Sequence, residues 1–218
     1  EQTPALDWML LTKRPENIDK MLPRRWAPGI EPYTSGAPRN AWLGITAENQ
    51  DQLDRRWPVL GSVGRDWGVS VLFVSAEPLL GPLDLSAWID EVDERSEDDH
   101  AKFPGISWVI VGGESGAKAR PMHPEWARRI RDLCAEHEVP FHFKQWGEWI
   151  ARSAYSGKRT GRERWGCMDV DGIFNSQTTT WNGRQGDPGD GYEYTMIRVG
   201  KRNAGRELDG KAHDEFPG

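Results

Sequence analysis

The sequence predicts an α/β protein: a partial (β/α) barrel of parallel strands over residues 1–149, with a small, basic, glycine-rich and β-containing extension over 150–218. Three observations predict it. Five short apolar runs begin about 30 residues apart. The stretches between them are compatible with helices, the rhythm of successive β/α units. Each run ends in polar groups, marked by Lys13, Glu48, Glu77, Glu114 and Lys144. Residues that follow parallel strands gather at one end of the sheet, where (β/α) barrels keep their chemistry. A doubly wound open sheet is the alternative, since it also alternates strand and helix.

The first strand is read at Asp7–Leu11, with Thr12, Lys13 and Arg14 directly after it. Pro15 suits the first turn of a helix, where its missing N–H costs nothing, and Glu16 suits the positive end, so 15–22 reads as helix. Prolines and glycines make 23–40 a loop. The second strand, Ala41–Ile45, ends in Thr46, Ala47, Glu48 and Asn49, with a helix expected over 49–57. The third, Val69–Val74, ends in Ser75, Ala76, Glu77 and Pro78. A short helix is expected within 84–90, and the acidic stretch 91–102 reads as a solvated insertion. The fourth and fifth strands are Ser107–Val111 and Val139–Phe143. Between them Pro124 opens a helix over 124–137, whose Trp126, Ile130, Leu133 and Cys134 share one face and whose start His123 would cap. Lys144, Gln145 and Trp146 follow the fifth strand. In the extension Thr195–Val199 reads as a strand, and the basic residues from Arg152 to Arg164 read either as a solvated face or as a phosphate site.

Composition narrows the function classes. A chain of 218 residues has ample core for one large domain with an appendage. Its formal charge of −6 argues against nucleic-acid binding through bulk charge, while leaving a local basic groove open. No apolar run approaches the roughly 20 residues of a membrane span, and the start lacks a signal-peptide pattern. The 2 cysteines lack CxxC spacing, so neither a disulfide framework nor a metal site is expected. A reducing, cytoplasmic setting fits best.

The most informative stretch is Ile106–Gly116, where a β-branched run breaks into Gly112, Gly113, Glu114 and Ser115. Glycines let backbone lie close to a ligand that a Cβ would block. The same spelling also fits a structural glycine turn with a solvated Glu, and both readings stand.

The blocks LLTKRPENI, WLGITAEN, FVSAEPLLGPLDL, WVIVGGESGAKARPMHPEW, FHFKQWGEW and VGKRNAGRELDG with its closing DEFP resemble an uncharacterised family carried by phages and prophages, from Leu6 to Phe216. That family resembles radical S-adenosylmethionine (SAM) enzymes. The resemblance implies a partial (β/α) barrel, SAM as cofactor, an iron–sulfur cluster, and a substrate among nucleic acids or nucleotide precursors. Family members carry an earlier segment with a CxxxCxxC motif, which this sequence lacks. Three thiolates hold three irons of such a cluster, so a separate or removed N-terminal cysteine-bearing segment would have to supply it.

On this reading Thr46, Glu48, Asn49, Ser75, Gly112, Gly113 and Ser115 would bind cofactor. Lys13, Arg14, Arg120, Gln145 and Trp146 would bind substrate, and Glu77, Glu114 and Lys144 would be catalytic. Radical SAM enzymes often place a Gly-Gly-Glu triplet on an early strand to hold the amino group of SAM. Here it falls late, so its spelling alone assigns Glu114 no such role. Two other classes are a glycosidase-like hydrolase using paired strand-end carboxylates and a non-catalytic remnant that binds nucleic acid or a partner.

Overall fold

The computed structural model describes residues 5–26, 36–90, 92–93, 102–157, 164–177 and 193–218. Its centre is a sheet of five parallel strands: β1 (Trp8–Thr12), β2 (Ala41–Thr46), β3 (Leu72–Ala76), β4 (Trp108–Gly112) and β5 (Phe141–Gln145). They are hydrogen-bonded in the order of the chain. A doubly wound sheet reverses direction at a switch point. This one does not, and its order is that of a partial barrel.

The middle strands are apolar on both faces because both are covered. Leu43, Ile45, Val74, Val109, Val111 and Phe143 join the main core beneath helices α1 (Gln50–Trp67) and α2 (Pro124–Glu136). On the opposite face Trp42, Phe73, Trp108 and Ile110 form a second cluster.

Helix α1 runs well beyond the expected 49–57, straight through Pro58. A proline inside a helix removes one hydrogen bond, but Leu53, Trp57, Leu60 and Val63 bury a continuous face here. Gly61 and Gly64 let that face pack closely: a Cβ on Gly61 would lie 2.2 Å from the Phe103 ring, and one on Gly64 2.4 Å from Leu72 of the sheet. Helix α2 follows its expectation. His123 caps it by accepting from the Glu125 N–H at 3.2 Å, and Trp126, Ile130 and Cys134 are buried.

Other boundaries shift. Val69 belongs to the C-terminal cap of α1, donating to the Gly64 carbonyl, so β3 starts later than expected. Residues 84–90 form turns, not a helix. Strand β5 starts at Phe141 and takes Lys144 and Gln145 into the strand itself. Much of the loop within 23–40, of the acidic insertion and of the basic run lies outside the described residues.

The extension is a four-stranded antiparallel sheet of β6 (Trp149–Ala151), β7 (Arg164–Met168), β8 (Phe174–Gln177) and β9 (Tyr194–Arg198), in the order β8-β7-β9-β6. The expected strand at Thr195–Val199 is β9. Ile150, Trp165, Cys167 and Ile197 enter the main core, so the extension shares it. The C-terminal tail returns along the free edge of β5. Phe143 donates to the His213 carbonyl, and the Phe216 ring lies 4.9 Å from that of Trp108. Among the described residues no helix is long and apolar enough to cross a membrane.

Candidate functional site

Parallel topology puts the last residues of β1 to β5 at one end of the sheet. Thr46 and Ser75 are register partners on β2 and β3, both nearly fully buried. Two residues past each of them come Glu48 and Glu77, just beyond the ends of β2 and β3.

Glu48 accepts from Lys13 and, at 2.8 Å, from Arg56. Burial opposes its charge, but the hydrogen bonds from Lys13 and Arg56 win and hold its pKa below the ordinary carboxylate value. Arg56 also donates to the Thr46 carbonyl at 2.6 Å, fixing the strand end on which Glu48 sits. Two helical turns past Glu48 and inside a charged stretch, Arg56 gave no signal in the sequence beyond its place on the first turns of α1.

Glu77 takes the Lys144 ammonium at 2.8 Å and the Gln145 side-chain amide at 3.0 Å. Lys144 lies two strands away, with β4 between. The gap is passable because β4 ends in Gly112, whose absent Cβ would meet the Glu77 carboxyl group at 3.2 Å. A register shift between Val111 and Gly112 adds a residue to β5 and aims Lys144 across it. Gln145 is buried; its amide also reaches Ser115 Oγ at 3.4 Å, while its own carbonyl oxygen has no hydrogen-bond partner among the described residues.

The Gly113–Gly116 loop is clasped from two sides. Arg120 grips Glu114 with three donors, its backbone N–H, Nε and an Nη, each at 2.8 Å. That grip, against some burial, keeps the Glu114 carboxylate below its usual pKa. Arg198 of β9 donates to the carbonyls of Gly116 at 2.7 Å and Ala117 at 2.8 Å. Glu148 accepts from the Gly116 N–H. Arg198 and Glu148 were not singled out in the sequence, because they approach this loop only through the tertiary fold.

The structure gives several candidate residues a packing role. A Cβ on Gly113 would sit 1.9 Å from the Trp146 carbonyl oxygen, so that glycine makes room for neighbouring backbone. Trp146 is buried, with its indole N–H on the Glu207 carbonyl at 2.8 Å. Asn49 caps α1, its side chain accepting from the Gln52 N–H. Arg14 is exposed just past β1. Thr46, Glu48, Ser75, Glu77, Gly112, Lys144 and Gln145 come together at the strand ends, with Lys13 beside Glu48 and Ser115 beside Gln145.

The family described as protein of unknown function (DUF5131) matches residues 1–217. The chain belongs to that family. No curated protein matches it, and no solved structure does. What this DUF5131 chain can do must therefore be read from its own groups. Its strand-end face offers carboxylates on two neighbouring strand ends, two buried Thr and Ser residues, two lysines and an amide carbonyl without a partner among the described residues.

An iron–sulfur cluster does not fit these residues. Cys134 and Cys167 are buried in separate elements, and burial pushes the Cys134 thiol up to about 12. Among the described residues no His, Cys, Asp and Glu cluster could hold a metal ion.

Proposed function

We propose that the strand-end face binds a nucleoside-type ligand, S-adenosylmethionine, as part of a radical-SAM-like enzyme acting on nucleic acid or a nucleotide precursor. One observation carries the reading. Glu48 and Glu77 follow the register partners Thr46 and Ser75 at the ends of neighbouring strands, each held by cations, and the buried Gln145 beside Glu77 has a carbonyl with no donor among the described residues. A buried acceptor left unpaired is costly, so a ligand N–H that reaches it gains affinity.

Bound SAM supplies an activated sulfonium carbon. The chain's own groups would hold its ends. Thr46, Ser75 and Glu48 suit ribose hydroxyls, while Glu77 and Gln145 suit the amino group. Lys13 and Lys144 balance a carboxylate or phosphate. Any cluster would come with thiolates from a separate or removed N-terminal segment, and a cytoplasmic setting remains part of the proposal. Glu48 and Glu114 are held ionised, which favours anchoring over the acid role a glycosidase needs.

The test is calorimetric titration with S-adenosylhomocysteine. Glu77→Gln is expected to weaken binding roughly ten- to a hundred-fold, the effect of losing a charged hydrogen bond. Equal affinity in both proteins, or no heat from the wild type at millimolar ligand, would overturn the reading.

A further inference from the structure

A cleft of about 410 Å³ opens at the start of β5, the end of the sheet remote from the strand-end face. One wall is the second half of α2, with Arg131, Asp132 and Ala135. The other is a two-strand hairpin, Glu207–Leu208 with Lys211–Ala212, and the residues that follow it. Phe141, the first residue of β5, lines it as well. That size falls within the roughly 300–1,000 Å³ of small-ligand sites.

The backbone decides which groups enter it. Past the hairpin the chain pairs with the edge of β5, Asp214 opposite His142. Alternate residues of an extended chain point to opposite sides. Asp214 turns to Arg206, while Lys211, His213 and Glu215 all line the cleft. His213 is the telling one. It is 7% exposed, with its ring edge-on to Phe141 at 5.4 Å, and neither ring nitrogen has a hydrogen-bond partner among the described residues. Burial, with Lys211 and Arg131 nearby, holds its pKa down against Glu215 and Asp209, so the neutral ring offers one donor and one acceptor. A buried polar side chain left unpaired is costly, and a ligand that completes it gains affinity.

The charged groups around the ring divide into engaged and free. Asp209 is gripped by Arg128 and Arg131, and Arg131 also holds Asp132. Lys211 is exposed and has no ion-pair partner among the described residues. The Glu215 carboxylate accepts the Phe141 N–H at 3.0 Å with one oxygen, leaving the other free. One cation and one carboxylate thus remain, with His213 midway between them along the chain. A dianion would meet three carboxylates for one free ammonium, and a lone cation would meet Lys211. A molecule with one carboxylate and one ammonium matches both free charges.

We propose that this cleft binds a free amino acid with an apolar side chain. Lys211 and the His213 N–H take its carboxylate, Glu215 takes its ammonium, and Ala135, Leu208 and Phe141 receive its side chain. The site is separate from the strand-end face and stands whatever that face binds. S-adenosylhomocysteine carries the same zwitterion, so the probe is L-leucine, which has no nucleoside.

An NMR titration of the full chain with L-leucine is expected to shift the His213 ring signals, identified by their loss in His213→Gln, and to saturate with a Kd of roughly 0.1–1 mM. N-acetyl-L-leucine lacks the ammonium and L-leucinamide lacks the carboxylate, so each should bind about tenfold more weakly. The variants test the assignment. Glu215→Gln keeps an acceptor for the Phe141 N–H and should close the gap between leucine and N-acetyl-leucine. Lys211→Met, at an exposed position that leaves the fold intact, should close most of the gap to leucinamide. Circular dichroism checks both variants. No shift at about 10 mM leucine would overturn the proposal, as would gaps of unchanged size in both variants. N-acetyl-leucine or inorganic phosphate binding as tightly as leucine would also overturn it, making the cleft a simple anion site.

Discussion

Trp146→Ala is expected to cost about 3–5 kcal/mol of folding stability, the range for removing a large buried aromatic side chain. The ring is only 2% exposed and packs edge-on against Phe143 at 5.1 Å. Its indole N–H is satisfied by the Glu207 carbonyl, and its backbone N–H by the Gly205 carbonyl. Its own carbonyl fills the space over Gly113. One residue thus ties the end of β5 to the C-terminal tail and to the loop after β4. Alanine would leave a cavity and also strip the Glu207 carbonyl of its donor. A urea titration checks it. A loss below about 1 kcal/mol would mean that the ring does not anchor the core and would return it to a ligand-binding role.

Trp146 also marks the limit of what was legible in the sequence. The strands were readable because a parallel strand covered on both faces is an unbroken apolar run, and their order followed from the spacing. Glu48, Glu77 and Lys144 were readable for the same reason: a polar residue just past such a run has one place to go.

Gly113 and Trp146 were not. An aromatic residue near a glycine is spelled alike whether it stacks on a ligand or on its own backbone, and what decides is a tail some 60 residues away that supplies the Glu207 carbonyl. Arg56 and Arg198 were missed because an arginine in a charged stretch announces nothing until the fold brings it to a strand end. Asn49 could have been read differently. An Asn at a strand–helix junction with Gln52 three residues later fits a helix cap at least as well as a ligand contact. The helix expected over 49–57 runs on through Pro58 because the buried face of α1 outweighs the one hydrogen bond that proline removes.

Arg128→Ala is expected to cost about 3 kcal/mol at neutral pH, because it removes the packed arginine stem together with its hydrogen bonds to Asp209, Glu125 and Tyr194 in a partly buried site. Arg128 donates to Asp209 at 2.7 Å, to Tyr194 Oη at 2.7 Å and to Glu125. These bonds join the first turns of α2 to β9 and to the tail, and so hold the extension that carries Arg198 to the Gly116 loop. Hydrogen bonds from Arg128, aided by Arg131, bring the Asp209 pKa down to about 2 against the effect of burial. Glu125 is lowered as well, its bonds to Tyr194 and Arg128 outweighing burial.

A folded-state pKa below the unfolded one gives stability that is complete above the unfolded value, near 3.8 for Asp209, and is lost as pH falls toward about 2. The Asp209 side chain is 39% exposed, so solvent screening limits this titrating share to about 1 kcal/mol. The rest is packing of the arginine stem and the neutral bond to Tyr194. Urea midpoints at pH 7 and pH 2 should therefore show a gap between wild type and Arg128→Ala that narrows by about a third in acid. A gap of the same size at both pH values would show that the arginine acts through packing alone. No gap at pH 7 would show that the extension is held by its apolar contacts with the core and not by this network.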